Sequence, residues 1–187
     1  MKTSLMIVLA CGAALGTAIA AEPPSEVLEA RGLVKEFGSS LKGKLVEAMQ
    51  EGGPVNAIKV CHVDAPAIAQ TVSEGSGWKV ARTSLKVRNP GNAPDAWELK
   101  VLQSFEERKA AGENLDTMEY SEVVEADGGK TFRYMKAIPT APVCLNCHGA
   151  ELAPGVAEAL DQLYPEDKAR GFSAGDIRGA FTLSKPM

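Results

Sequence analysis

Five consecutive residues, Cys144-Leu145-Asn146-Cys147-His148, hold three of the six cysteines and histidines in a chain of 187 residues. Two thiols three positions apart project from nearly the same side of one helical turn. The imidazole follows directly after the second thiol. Three chemistries use such a group. The thiols can cycle between dithiol and disulfide, but that normally wants a βαβ setting, and here the pair follows Ile138-Pro139-Thr140-Ala141-Pro142. They can bind zinc with the histidine, which leaves a fourth ligand to be found, and only Cys61 and His62 remain as soft candidates. Or each S–H can add across one vinyl group of a haem, with the histidine ligating the iron, which is the signature of c-type attachment. The pattern points to one covalent haem c, bound through Cys144 and Cys147, with His148 as its proximal ligand.

The chain's start supports an exported setting for that chemistry. Lys2 precedes an apolar run from Leu5 to Leu15, and Thr17-Ala18-Ile19-Ala20 follows. A cationic start, a short apolar core and an Ala-x-Ala end mark a secretory signal peptide. Cleavage is expected after Ala20 or Ala21, so residues 1–20 are signal and 21–187 form a single domain, periplasmic or secreted. The run is too short for a convincing membrane span, and the segment before Cys11 is too short for a good lipoprotein signal. No second hydrophobic segment exists, so no stable membrane insertion is expected after cleavage. Losing Lys2 makes the net charge of −4 one unit more negative.

Processing leaves Cys61, Cys144 and Cys147, an odd number for an oxidising compartment where cysteines usually pair. If the last two become thioethers, Cys61 has no intramolecular partner. It is then buried and inert, linked to another chain, or bound to metal. The sixth iron ligand has the candidates Cys61, His62, Met49, Met118, Met135 and Met187. The cysteine count favours Cys61, while His62 is the sole route to bis-histidine ligation. On a helix these two neighbours point about 100° apart, so only one can face the iron.

The elements that must position these groups are readable from periodicity. Ser25 can cap a long helix carrying Leu33, Phe37, Leu41, Leu45 and Met49, ending at Gly52-Gly53. Pro54 opens a second helix with Val55, Ile58 and Cys61, which Pro66 breaks or restarts. A strand is expected at Trp78 to Val87 and a loop at Arg88 to Pro94. A third helix runs from Pro94-Asp95 through Phe105 to near Gly112. Two β runs, Met118 to Ala126 and Thr131 to Ile138, join through Asp127-Gly128-Gly129 as a hairpin. A short helix at Val156 to Leu163 and a last strand at Ile177 to Leu183 complete an α+β chain, an antiparallel sheet with helices packed on it.

Longer stretches carry a resemblance. Val60-Cys61-His62-Val63-Asp64-Ala65-Pro66-Ala67-Ile68-Ala69, Arg82 through Pro94, Trp97-Glu98, Cys144 through Gly149 and Gly175-Asp176-Ile177-Arg178-Gly179-Ala180 are similar to single-haem, PAS-like c-type proteins once catalogued as domain of unknown function 3365. The resemblance covers essentially the whole processed chain. It implies a PAS-like antiparallel sheet flanked by helices, with a long N-terminal helix. It also implies axial ligation by His148 and Cys61, with the Arg82 to Pro94 segment beside the haem. Propionates need cationic or amide donors, and Arg82, Arg88 and Asn89 are the candidates there.

Thiolate ligation implies a low-potential, six-coordinate iron. With both axial positions filled and no acid–base pair of peroxidase type in view, no enzymatic activity is expected. Two functions follow: electron transfer with a separate redox partner protein, or redox or diatomic-gas sensing that signals through a separate partner. The pI of about 5.3 and the lack of any basic run argue against nucleic acid.

Overall fold

The structure, a computed structural model, describes residues 22–126 and 128–187. The expected signal segment and Asp127 of the hairpin turn lie outside the described residues. Helix α1 spans Ser25–Ser76 and is bent into two limbs where Gly52 (φ −154°, ψ 19°) and Gly53 (φ 69°, ψ −165°) leave helical geometry. The positive φ at Gly53 is open to glycine at little cost. Pro24, not Ser25, occupies the N-cap, and no side chain caps the end.

The buried stripe of the first limb is Val27, Ala30, Val34 and Phe37, at helical three-and-four spacing. The row Leu33-Phe37-Leu41-Leu45-Met49 does not share one face, because steps of four drift about 40° each around a helix of 3.6 residues per turn. Only Phe37 of that row is fully buried. The second limb runs unbroken through Pro66 to Ser76, against the expected break. Packing holds it: Ala65 and Val72 are buried, and Ile68 and Ala69 lie against the same cluster as Val27 and Phe37. That contact outweighs the hydrogen bond a mid-helix proline forfeits.

Four strands follow: β1 (Lys79–Thr83), β2 (Glu119–Ala126), β3 (Gly129–Pro139) and β4 (Ile177–Pro186). They form one antiparallel sheet in the order β1-β4-β3-β2. β1 ends four residues before the expected Val87, because Ser84 turns its hydroxyl onto the Arg178 and Lys86 carbonyls, at 2.8 Å and 3.0 Å. Alternation along the strands serves both faces. Phe132, Tyr134 and Leu183 meet α1, whereas Met135, Ala137 and Ala180 meet helix α2 (Ala96–Ala110) through Val101, Leu102 and Phe105. Helix α2 starts at Asp95 with a complete capping box to Glu98. The expected α+β architecture, a long N-terminal helix and flanked antiparallel sheet, is present.

A single turn α3 (Leu145–His148) and helix α4 (Pro154–Leu163) lie between β3 and β4. Val156, Ala159 and Leu160 of α4 pack on Ile58 of the second limb, with Val55, Cys147 and Tyr164 around them.

Candidate functional site

Antiparallel pairing puts the ends of β1 and β3 and the start of β4 at one end of the sheet: Thr83 is registered with Ala180, and Ile138 with Gly179. Most of the candidate residues outside α1 leave the sheet there. Arg82, Ser84 and Arg88 come from β1 and its exit, the Cys144–His148 motif follows β3, and Arg178 opens β4.

The motif forms a 3-10 turn, Pro142–Cys144, running into α3. Both thiols are half-buried. His148 Nδ1 lies 2.8 Å from the Ala169 carbonyl. A carbonyl can only accept, so Nδ1 carries the proton and Nε2 keeps its lone pair, the tautomer a metal ligand needs. Arg178 Nε lies 3.1 Å from Nδ1 and 3.3 Å from Nε2, so it sits over the face of the ring and leaves the in-plane Nε2 lone pair free. Burial, with the Arg178 and Arg88 charges, lowers the His148 pKa to about 3, so the ring is neutral at ordinary pH. The turn is held from behind, where Phe172 N–H donates to the His148 carbonyl and Gly171 N–H to that of Gly149.

Cys61 and His62 are separated as their helical angle demands. Cys61 is half-buried and within electrostatic reach of Cys147, Arg82 and Arg88. Burial raises its pKa, and the two guanidinia only partly offset this. His62 is exposed, and its ring meets Tyr164 edge-on at 4.8 Å. With Tyr164, Asn89 and Leu163 it lines a cavity of about 140 Å³. Among the described residues, no three histidine, cysteine or acidic side chains converge as a cage for a single ion. The motif and Cys61 come instead from two separate elements, with Cys61 and Cys147 in electrostatic reach of each other.

Of the three donors expected beside the haem, Arg82 pairs with no carboxylate among the described residues and is in electrostatic reach of Cys61. Its guanidinium lies over the Phe37 ring, 5.6 Å from the centroid, and burial lowers its pKa. Arg88 is engaged: it bonds Asp167, donates to the Cys147 carbonyl at 2.5 Å and to that of Ala169 at 3.1 Å. It clamps the motif's backbone to the segment before β4. The Asn89 carboxamide oxygen accepts the Gly91 N–H at 2.9 Å and caps the 3-10 turn Pro90–Asn92.

Arg178 is the residue that sequence reasoning missed. Its stretch was noted for its resemblance, but an arginine opening a strand ordinarily signals a solvated edge. Here burial, and then Arg88 and Arg82, lower its pKa to about 10. Its Nη1 donates to Ser84 Oγ at 3.1 Å and to the Lys86 carbonyl at 3.3 Å, and its Nε lies over the His148 ring.

Two thiols and a neutral imidazole on one turn, a third thiol on α1 and two guanidinia that pair with no carboxylate among the described residues define an α+β cofactor-binding module. The chain belongs to the Tll0287-like family, whose model matches residues 19–186. A solved structure described as the cyanobacterial heme-protein Tll0287 is similar, at 25% identity and a TM-score of 0.66, over 89% of this chain and 98% of that one. A comparison with the curated proteins gives no match.

Proposed function

We propose that this chain is an exported electron-transfer protein carrying one low-potential c-type haem. The reading rests on one observation: the fold sets Cys61 within reach of Cys147, beside a motif whose histidine presents a neutral Nε2. The residues fit the group. Cys144 and Cys147 would each add S–H across a vinyl bond, a step with no net redox change. His148 Nε2 would take one axial position and the Cys61 thiolate the other, in place of the exposed His62. Membership of the Tll0287-like family supports a haem in this chain.

Haem supplies a one-electron couple, and a thiolate ligand lowers its potential by donating electron density. The chain's own part is to hold the ligands still. Arg88 fixes the motif backbone, Ala169 fixes the His148 tautomer, and α4 packing fixes the limb that carries Cys61. A rigid ligand set suits electron exchange with a separate redox partner. No helix among the described residues is long and apolar enough to cross a membrane.

The test is optical and low-temperature EPR spectroscopy of the chain matured with a cytochrome c assembly system, for wild type and Cys61→Ala. A thiolate-type low-spin ferric signal that disappears in the variant is the expected result. Identical spectra of bis-histidine character, or no covalent haem, overturn the ligation or the whole reading respectively. Carbon monoxide binding to the reduced wild type would move the function from electron transfer to gas sensing.

A further inference from the structure

Three guanidinia share the motif's end of the sheet, and they are unequally occupied. Arg88 has a carboxylate, Asp167, bound through two hydrogen bonds. Among the described residues, Arg82 and Arg178 pair with no carboxylate, although both are partly buried and the Arg82 charge bears on Arg178. Buried like charges without a counter-ion are costly. The fold nevertheless builds the arrangement carefully: Ser84 leaves β1 so that its hydroxyl and the Lys86 carbonyl receive the Arg178 Nη1. Neither acceptor carries a charge.

We infer that Arg82 and Arg178, rather than Arg88 and Asn89, form the anion site of this centre and receive the two haem propionates. The inference rests on the haem reading proposed above. The Arg178 Nε rests over the His148 ring, 3.1 Å from Nδ1 and 3.3 Å from Nε2, and leaves the in-plane Nε2 lone pair free. An iron on Nε2 would therefore have beside it a partly buried cation that no carboxylate among the described residues neutralises. A propionate is the acid such a cofactor carries, and guanidinium–carboxylate pairing is the strong, oriented form of that contact. Arg88 cannot serve without releasing the Cys147 carbonyl and Asp167. The Asn89 oxygen is spent on its own turn.

The experiment compares matured full-length wild type with Arg178→Gln, Arg82→Gln and the control Lys86→Gln, an exposed cation at the same end of the sheet. Mass and haemochrome spectra first establish covalent haem, and the midpoint potential is then followed against pH. Losing a paired cation should lower the potential and move the propionate-linked break in the curve upward by about one pH unit, a tenfold loss in acidity. Both arginine variants should show this with unchanged axial-ligand spectra, and Lys86→Gln should not. If Arg178→Gln fails to mature, Arg178→Lys must restore haem and the wild-type break. Wild-type curves in both glutamine variants, or failure of both Arg178 variants to mature, overturn the inference while leaving the haem reading intact. Absence of covalent haem from the wild type overturns the haem reading, and this inference with it.

Discussion

Arg88 and Asp167 are joined by Nε to Oδ1 at 3.0 Å and Nη2 to Oδ2 at 3.2 Å. Their side chains are 12% and 1% exposed. This bidentate pair ties the exit of β1 to the approach of β4, and the remaining reach of Arg88 to the Cys147 carbonyl brings the motif into the same knot. The elements that surround the site are therefore held by one guanidinium.

Breaking the pair should be expensive. Asp167→Asn leaves a largely buried cation without its partner, a change worth about 3–5 kcal/mol. Burial pushes the Asp167 carboxyl up, but hydrogen bonds from Arg88 and Arg170 hold it below its usual range. A carboxyl with a lowered folded pKa stabilises fully above its unfolded value of about 4, and that contribution is lost as pH falls through the folded one. Urea unfolding of wild type and variant should show a wide gap at pH 7 that closes in acid. A gap independent of pH would exclude the ion pair as its source.

Gly149 follows His148, and a Cβ there would stand 2.7 Å from the Leu145 carbonyl oxygen. That oxygen also accepts the Gly149 N–H, so neither group can retreat freely. Gly149→Ala should destabilise by about 1–3 kcal/mol and reduce haem incorporation by distorting the turn. Gly43 has open space around it on an exposed stretch of α1. Gly43→Ala should instead stabilise by about 0.5–1 kcal/mol. Thermal melts with a haem stain separate the two, and equal effects would contradict the steric account.

How much of this was legible in the sequence depended on the range of the forces involved. Asp95 marked the start of α2 because capping is decided within four residues. The kink at Gly52-Gly53 was readable for the same reason. Pro66 misled, since its local penalty is overridden by contacts with residues far away in the chain. Arg88 was read as a candidate propionate donor, whereas its partner Asp167 lies 79 residues away and no local pattern announces it. Arg178 was invisible as a site residue because its meaning comes from His148 and Ser84, which other strands deliver.

Glu98 joins two layers: its Oε1 accepts the Thr182 hydroxyl at 2.7 Å, and its Oε2 accepts the Asp95 N–H at 3.0 Å. Glu98→Ala should cost about 2–3 kcal/mol through the unsatisfied Thr182 and the lost cap. Denaturation of the variant measures this, while its haem spectrum should match wild type. An altered spectrum would mean that α2 bears on the site more directly than its position indicates.

His62 stacks against Tyr164 on the exposed side of α1. His62→Ala should therefore leave the ferric spectrum unchanged, in contrast to Cys61→Ala. A switch in spectral type on removing His62 would show that the second limb rotates when the cofactor is held.

The two proposed attachment cysteines and His148 fall within one short stretch, whereas Cys61 rides on the second limb of α1, which reaches the motif only by tertiary packing on α3 and α4. Thioether formation therefore requires no tertiary structure, but the second axial bond requires all of it. Under the proposed ligation, the colour of the protein becomes a gauge of closure. Unfolding would strip the thiolate from a cofactor that stays tethered, and the visible spectrum would report the loss of the fold.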